Sequence, residues 1–152
     1  REGYKHCQYE LVWYIDGDCP YDINVLKDAL PLIEGADAVI GVKTGKRESF
    51  KRLVFSKAYN LMIRTVLRLP FHDINFSFKL IRINMLRKMD LRSDEWFIDA
   101  EILAELKRNN AVVKELPIEL KIREKGQSKV HVGRKLIFSI IKEMFRYIRK
   151  EK

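Results

Sequence analysis

The chain is poor in cysteine and has no long apolar run. Cys7 and Cys19 are its only cysteines, and they match neither a C-x-x-C pair nor a zinc spacing, so no thiol-based metal or redox motif is indicated. They read as reduced, structural thiols of a reducing compartment. No apolar stretch reaches the roughly 18–20 residues needed to span a bilayer. No secretory leader is visible in the opening REGYKHCQYE, which starts at Arg1 without a Met. A chain trimmed at its N-terminus is therefore expected. Repeats and low-complexity linkers are also absent.

What is present is a composition suited to one soluble, globular domain: 152 residues, 47% hydrophobic and 34% charged. The net charge of +9 is unevenly placed. Residues 121–152 hold 11 Lys/Arg against 3 Asp/Glu, whereas the first 120 hold 19 against 18. A nearly neutral body with a basic tail suggests an anionic partner near the C-terminus.

Short β-rich runs alternate with helical patterns. YELVWYID and ADAVIGV read as strands buried on both faces, and NFSFKLIRI as a strand with alternating Phe76, Phe78 and Leu80. AVVKELPIELKIRE reads as extended, broken at Pro117. INVLKDALPLI has helical spacing, with Asp22 as N-cap and Pro31 disturbing the last turn. Helices are also predicted from Ser49 to just before Pro70, over FIDAEILAELKRNN, and over the final GRKLIFSIIKEMFRYIRK. This order predicts a layered α/β domain with a mostly parallel sheet flanked by helices, over residues 1–130. A basic amphipathic helix is predicted over 131–152.

In such sheets, ligands bind beyond the carboxyl ends of the strands. Asp16 and Asp18, in YIDGDCPYD, lie at such an end. In an extended D-x-D the two carboxylates point to opposite faces. In a turn, which Gly17 permits, both can reach one hard divalent ion whose other ligands are phosphate oxygens. A solvated surface turn is the alternative. The basic loop and helix start in GVKTGKRESFKR offer Lys43, Arg47 and Arg52 to a phosphate, with Ser56 one helical turn after Arg52 on the same face. A solvated basic surface explains them equally well. Asp73 precedes a strand, and Asp99 and Glu101 open a helix, where capping and the helix dipole already favour acids. REKGQSK is a basic, glycine-containing, hydroxylated loop that can close over phosphate or simply connect two elements.

Taken in order, YIDGD, ADAVIGVKTGKRESFKRLVFSKAYNLMIR, HDINFSFKLIRINML and FIDAEILAELKRNNAVVKELPIELKIREKGQSK resemble the family 2 glycosyltransferases. The resemblance is nearest to the dolichyl- or polyprenyl-phosphate sugar transferases, mannosyl or glucosyl, and runs from about Tyr9 to Lys129. It implies a partial GT-A, Rossmann-like fold, a nucleotide-sugar donor, and a divalent metal, Mg²⁺ or Mn²⁺, on Asp16 and Asp18. It places Arg52 and Ser56 at the lipid phosphate, and Asp73 before the strand that usually begins Gly-Phe-Arg. Asp99 and Glu101 fall at the acceptor-side helix start, where relatives keep a base. Arg123, Gly126, Ser128 and Lys129 fall on the R-x-x-G-x-S-K loop. The chain departs from the pattern at Lys43 and Lys79, where Arg is usual, at Ser77, where Gly is usual, and in the short Cys19-Pro20 segment.

The family's first strands, with a P-x-x-N-E-like segment that holds the nucleotide base, have no counterpart before Tyr9. The chain is thus expected to be the last two-thirds of a catalytic domain.

The function so implied is metal-dependent, inverting transfer of a sugar from a nucleotide donor to polyprenyl (dolichyl) phosphate. A transferase acting on a glycan hydroxyl, or a non-catalytic basic membrane-binding remnant, are the alternatives. In the tail, apolar residues recur at Ile137, Ile140, Ile141, Met144, Phe145 and Ile148, with the basic residues largely off that stripe. The helix suits an anionic membrane surface or docking on the protein's own core. The expected location is cytoplasmic, peripheral at the cytoplasmic face of a membrane. Nucleic acid is not expected as a partner, because the aromatics are not interleaved with the basic tail.

Overall fold

The computed structural model describes residues 2–17, 19–45, 50–93, 95–120 and 134–149. In chain order the elements are α1 (Glu2–Lys5), β1 (Leu11–Tyr14), a 3-10 turn (Ile23–Val25), α2 (Leu26–Ile33), β2 (Ala38–Thr44), α3 (Phe50–Leu67), β3 (Lys79–Arg82), α4 (Ile83–Leu86), α5 (Ile98–Arg108), β4 (Val113–Glu119) and α6 (Arg134–Ile148).

The strands form one sheet in the order β1-β3-β2-β4. Its period-2 alternation divides the core into two layers. Ala38, Ile40 and Ile81 face Ile63 of α3, Ile102 and Leu103 of α5, and Ile140 and Met144 of α6. Val39, Leu80 and Ile118 face Tyr21, Ala29, Ile33, Phe76 and Phe78 on the other side. Burial on both faces explains why β1 and β2 read as continuous apolar runs. The domain is therefore a mixed α/β fold, its sheet flanked by helices, as expected for a partial Rossmann-like GT-A fold.

One correction concerns strand direction. β1, β2 and β4 run the same way, but β3 lies antiparallel between β1 and β2, so only the β2–β4 pairing is parallel among the described strands. The cause lies in residues 69–78. This segment buries Leu69, Phe71, Ile74, Phe76 and Phe78 and returns the chain to the carboxyl end of β2. There the Lys43 amide donates to Asp73 at 3.4 Å. β3 therefore starts at that end and runs back, and it begins only at Lys79, with Phe76 and Phe78 still outside the strand.

α2 keeps Pro31 in its last turn and ends at Ile33, with Gly35 following at φ +71° as the left-handed stop. One proline expectation is revised. β4 runs through Pro117 without a break. It is an edge strand, where a missing ladder donor is tolerated. Asp22 caps as expected, its side chain accepting the Asn24 amide at 2.9 Å.

Candidate active site at the carboxyl end of the sheet

Because β3 is reversed, its first residue, Lys79, pairs with the last residue of β1, Tyr14, and with Ile40 inside β2. Beyond Tyr14 the chain reaches Asp16, which is exposed, and turns at Gly17, where the Cys19 amide donates to the Asp16 carbonyl at 3.0 Å. Asp18 lies outside the described residues.

The centre of this edge is a buried ion pair. Lys79 is 1% exposed; its ammonium donates to the Asp99 carboxylate at the start of α5 and to the Phe76 carbonyl at 2.8 Å. It also lies 5.4 Å from the centroid of the Tyr14 ring. Three tyrosines surround the pair. Burial, then the Asp99 and Asp16 carboxylates, push the Tyr14 hydroxyl far above its ordinary range. Burial is also the largest cause for Tyr4 and Tyr59, with Asp99 contributing to both. The Tyr4 and Tyr59 hydroxyls are buried with no hydrogen-bond partner among the described residues. Asp16 and Asp99, far apart in sequence, thus act on one residue of β1.

Asp73 is buried and joins three segments. Its carboxylate accepts from the Lys43 amide of β2, from Asn60 Nδ2 of α3 at 3.4 Å, and from the Asn75 amide at 3.3 Å. Asn60 Oδ1 in turn accepts the Ile74 amide at 3.1 Å. Asp73 therefore fixes the loop beside Lys43. Ser56 is half-buried on α3, one turn beyond Arg52, whose place is on the same helix. Arg47, Arg123, Gly126, Ser128 and Lys129 lie outside the described residues.

Glu101 faces inward. It is 1% exposed and accepts the amides of Arg92 (3.0 Å) and Ser93 (2.8 Å). Burial raises its carboxyl above the usual range, against the lowering by those amides. Its oxygens thus hold the backbone at Arg92 and Ser93. Glu105 accepts the Asp90 amide at 3.0 Å and Glu143 of α6 accepts the Phe97 amide at 3.2 Å, both on the same 90–97 segment.

Sequence reasoning missed Tyr14, Asn60, Tyr59 and Glu143. The one available signal was Asn60, a polar residue with poor helix propensity in the middle of a long helix.

Among the described residues, no three His, Cys, Asp or Glu side chains are grouped to hold a metal ion. The donor chemistry nevertheless suits a hard cation: an exposed carboxylate, Asp16, stands at the strand end, and Mg²⁺ commonly takes one or two carboxylates with substrate phosphates completing its shell. No helix among the described residues is long and apolar enough to cross a membrane.

No protein-family model matches the chain. Among curated proteins it is similar to polyprenol monophosphomannose synthase of Mycolicibacterium smegmatis, with 30% identity over 133 residues, covering 80% of this chain and 49% of that protein. It is similar also to glycosyltransferase AglD of Haloferax volcanii, with 27% identity over 147 residues, covering 90% of this chain and 23% of that protein. The chain thus spans about half the length of the first relative and less than a quarter of the second.

Proposed function

We propose, from the similarity to a polyprenol monophosphomannose synthase and a glycosyltransferase, that the protein is a family 2 polyprenyl-phosphate sugar transferase, which transfers a sugar from a nucleotide-sugar donor to a polyprenyl (dolichyl) phosphate with inversion at the anomeric carbon. The observation that carries this reading is the gathering of Asp16, Lys43, Asp73, Lys79 and Asp99 at one end of the sheet.

In this reading Asp16 and Asp18 would hold a divalent metal, Mg²⁺ or Mn²⁺, which when bound supplies charge neutralisation for the departing nucleoside diphosphate. Lys43, Arg47, Arg52 and Ser56 bind phosphate oxygens, with Asp73 fixing the backbone that carries Lys43. Arg123, Ser128 and Lys129 bind the diphosphate. A phosphomonoester has its second pKa near ~6, so the acceptor oxygen is largely ionised at neutral pH. It attacks the anomeric carbon directly, opposite the leaving group, and no enzyme base is required. Asp99 then orients substrate. Glu101 acts from the interior by holding the backbone at Arg92 and Ser93.

α6 supports a location at a membrane surface. Its inward residues Ile140, Met144 and Tyr147 pack on the core, whereas Phe138 and Phe145 are 72% and 55% exposed beside exposed Lys142, Arg146 and Arg149. Apolar and basic groups on one outward surface suit an anionic membrane, where the acceptor lipid resides. We place the protein peripherally at the cytoplasmic face, with no nucleic-acid partner.

The test is the fate of a radiolabelled donor sugar mixed with the full-length protein and polyprenyl phosphate in vesicles. The reading expects label in the organic extract. Label in a water-soluble glycan supports a hydroxyl acceptor instead, and no transfer at all supports a non-catalytic membrane-binding module.

A further inference from the structure

A lysine ammonium withdrawn from water is costly unless its charge and all its donors are met. Lys79 meets this condition through Asp99, the Phe76 carbonyl at 2.8 Å and the Tyr14 ring face. Its charge is thus already engaged by the protein. Its partner is different. Asp99 uses Oδ1 for Lys79, its side chain is 14% exposed, and Oδ2 has no hydrogen-bond partner among the described residues.

An ionised carboxylate only accepts hydrogen bonds. Of the groups that a nucleotide sugar and a polyprenyl phosphate bring, the phosphates repel it, and the hydroxyls suit it. We propose that Lys79 is a positioning residue that pins Asp99 through Oδ1 and so aims Oδ2 at a hydroxyl of the transferred sugar. This rests on the glycosyltransferase reading above.

The surroundings agree with a carboxylate held in place by its partner. The titratable groups around the pair are Tyr4 of α1, Tyr14 and Asp16 at β1, Tyr59 of α3 and, beyond Tyr59, Glu143 of α6. The Tyr4 and Tyr59 hydroxyls are pushed away from ionisation by burial and by Asp99 itself, so they stay neutral beside the pair.

The experiment is a double-mutant cycle on Lys79→Met and Asp99→Asn in the full-length protein. It follows release of nucleoside diphosphate with whichever acceptor the wild type uses. Misplacement of a substrate-orienting group by about 1 Å can cost ~10²-fold, so each single variant is expected to lose roughly that in kcat, with the KM for acceptor nearly unchanged. The double variant is expected to be no slower than either single one, and Lys79→Arg to recover most of the rate.

A donor lacking the contacted hydroxyl is expected to be insensitive to Lys79→Met. If Lys79→Met does not fold, Lys79→Arg and the double variant, in which neither charge is stranded, carry the comparison with Asp99→Asn alone. Losses that multiply in the double variant, or a Lys79→Met rate close to wild type, overturn the proposal. Failure of wild type to label lipid overturns only the acceptor assignment, since diphosphate release still reads the cycle.

Discussion

The Glu143 carboxylate on α6 accepts the Phe97 amide at 3.2 Å, two residues before Asp99. It is one of three contacts a helical turn apart on α6. Ser139 donates to Glu95, and Tyr147 donates to Glu105 at 3.0 Å. The last helix therefore holds the start of the helix that presents Asp99. Glu143→Ala leaves the Phe97 amide buried without an acceptor, a loss of about 1–3 kcal/mol. Urea denaturation is expected to show that loss, and hydrogen exchange to show faster amides between 90 and 97. Unchanged exchange there would mean that α6 does not hold the segment.

Gly41 is required by a close approach rather than by its φ. A Cβ at this position would lie 2.7 Å from the Phe76 ring and 2.8 Å from Phe78 Cβ. The ring can turn away, but a Cβ is fixed to the backbone. Gly41→Ala is expected to cost about 1–3 kcal/mol by overpacking. The measurement is the denaturant midpoint at constant m-value.

The buried Glu101 gives a pH dependence of known sign. Its folded pKa is raised above the ordinary 4.5, chiefly by burial. The stability it contributes is complete below the unfolded pKa and is lost as pH rises from there through the folded pKa. Relative to Glu101→Gln, wild type is therefore expected to do best at acid pH and to lose ground as pH rises from about 4.5. Parallel curves for the two proteins in urea titrations across that range would contradict the assignment.

The outward face of α6 predicts membrane behaviour. Phe138→Ser with Phe145→Ser is expected to weaken co-sedimentation with anionic vesicles several-fold while leaving the fold intact, since both side chains are exposed. Removing Lys142, Arg146 and Arg149 is expected to abolish the dependence on anionic lipid and on salt. Vesicle binding unaffected by either set would remove α6 from the account.

Much of the layering was legible because burial on both faces writes unbroken apolar strands, and because caps such as Asp22 act locally. The reversal of β3 was not legible. It depends on where residues 69–78 travel, and that is decided by tertiary contacts such as Asp73 with Lys43 and Asn60. The acidic residues show the same division. Asp99 and Glu101, two positions apart on α5, read alike in sequence, yet one faces Lys79 at the sheet edge and the other the 90–97 segment. The α6 stripe faces inward at Ile140 and Met144, with Ile141 and Ile148 half-buried, and departs from the expectation at Phe145. Tyr147 is buried and Phe145 exposed, because Glu105 offers the tyrosine hydroxyl a buried acceptor.

The most direct test of the central claim is the rate of labelled-sugar transfer to polyprenyl phosphate by wild type and by Asp16→Asn, with Mg²⁺ or Mn²⁺ present. Asp16 is exposed, so the substitution should leave folding unaffected. The account predicts lipid-extractable product from wild type and a loss of at least ~10²-fold in the variant, the scale of removing one electrostatic partner of a developing charge. Equal rates from the two proteins would contradict it.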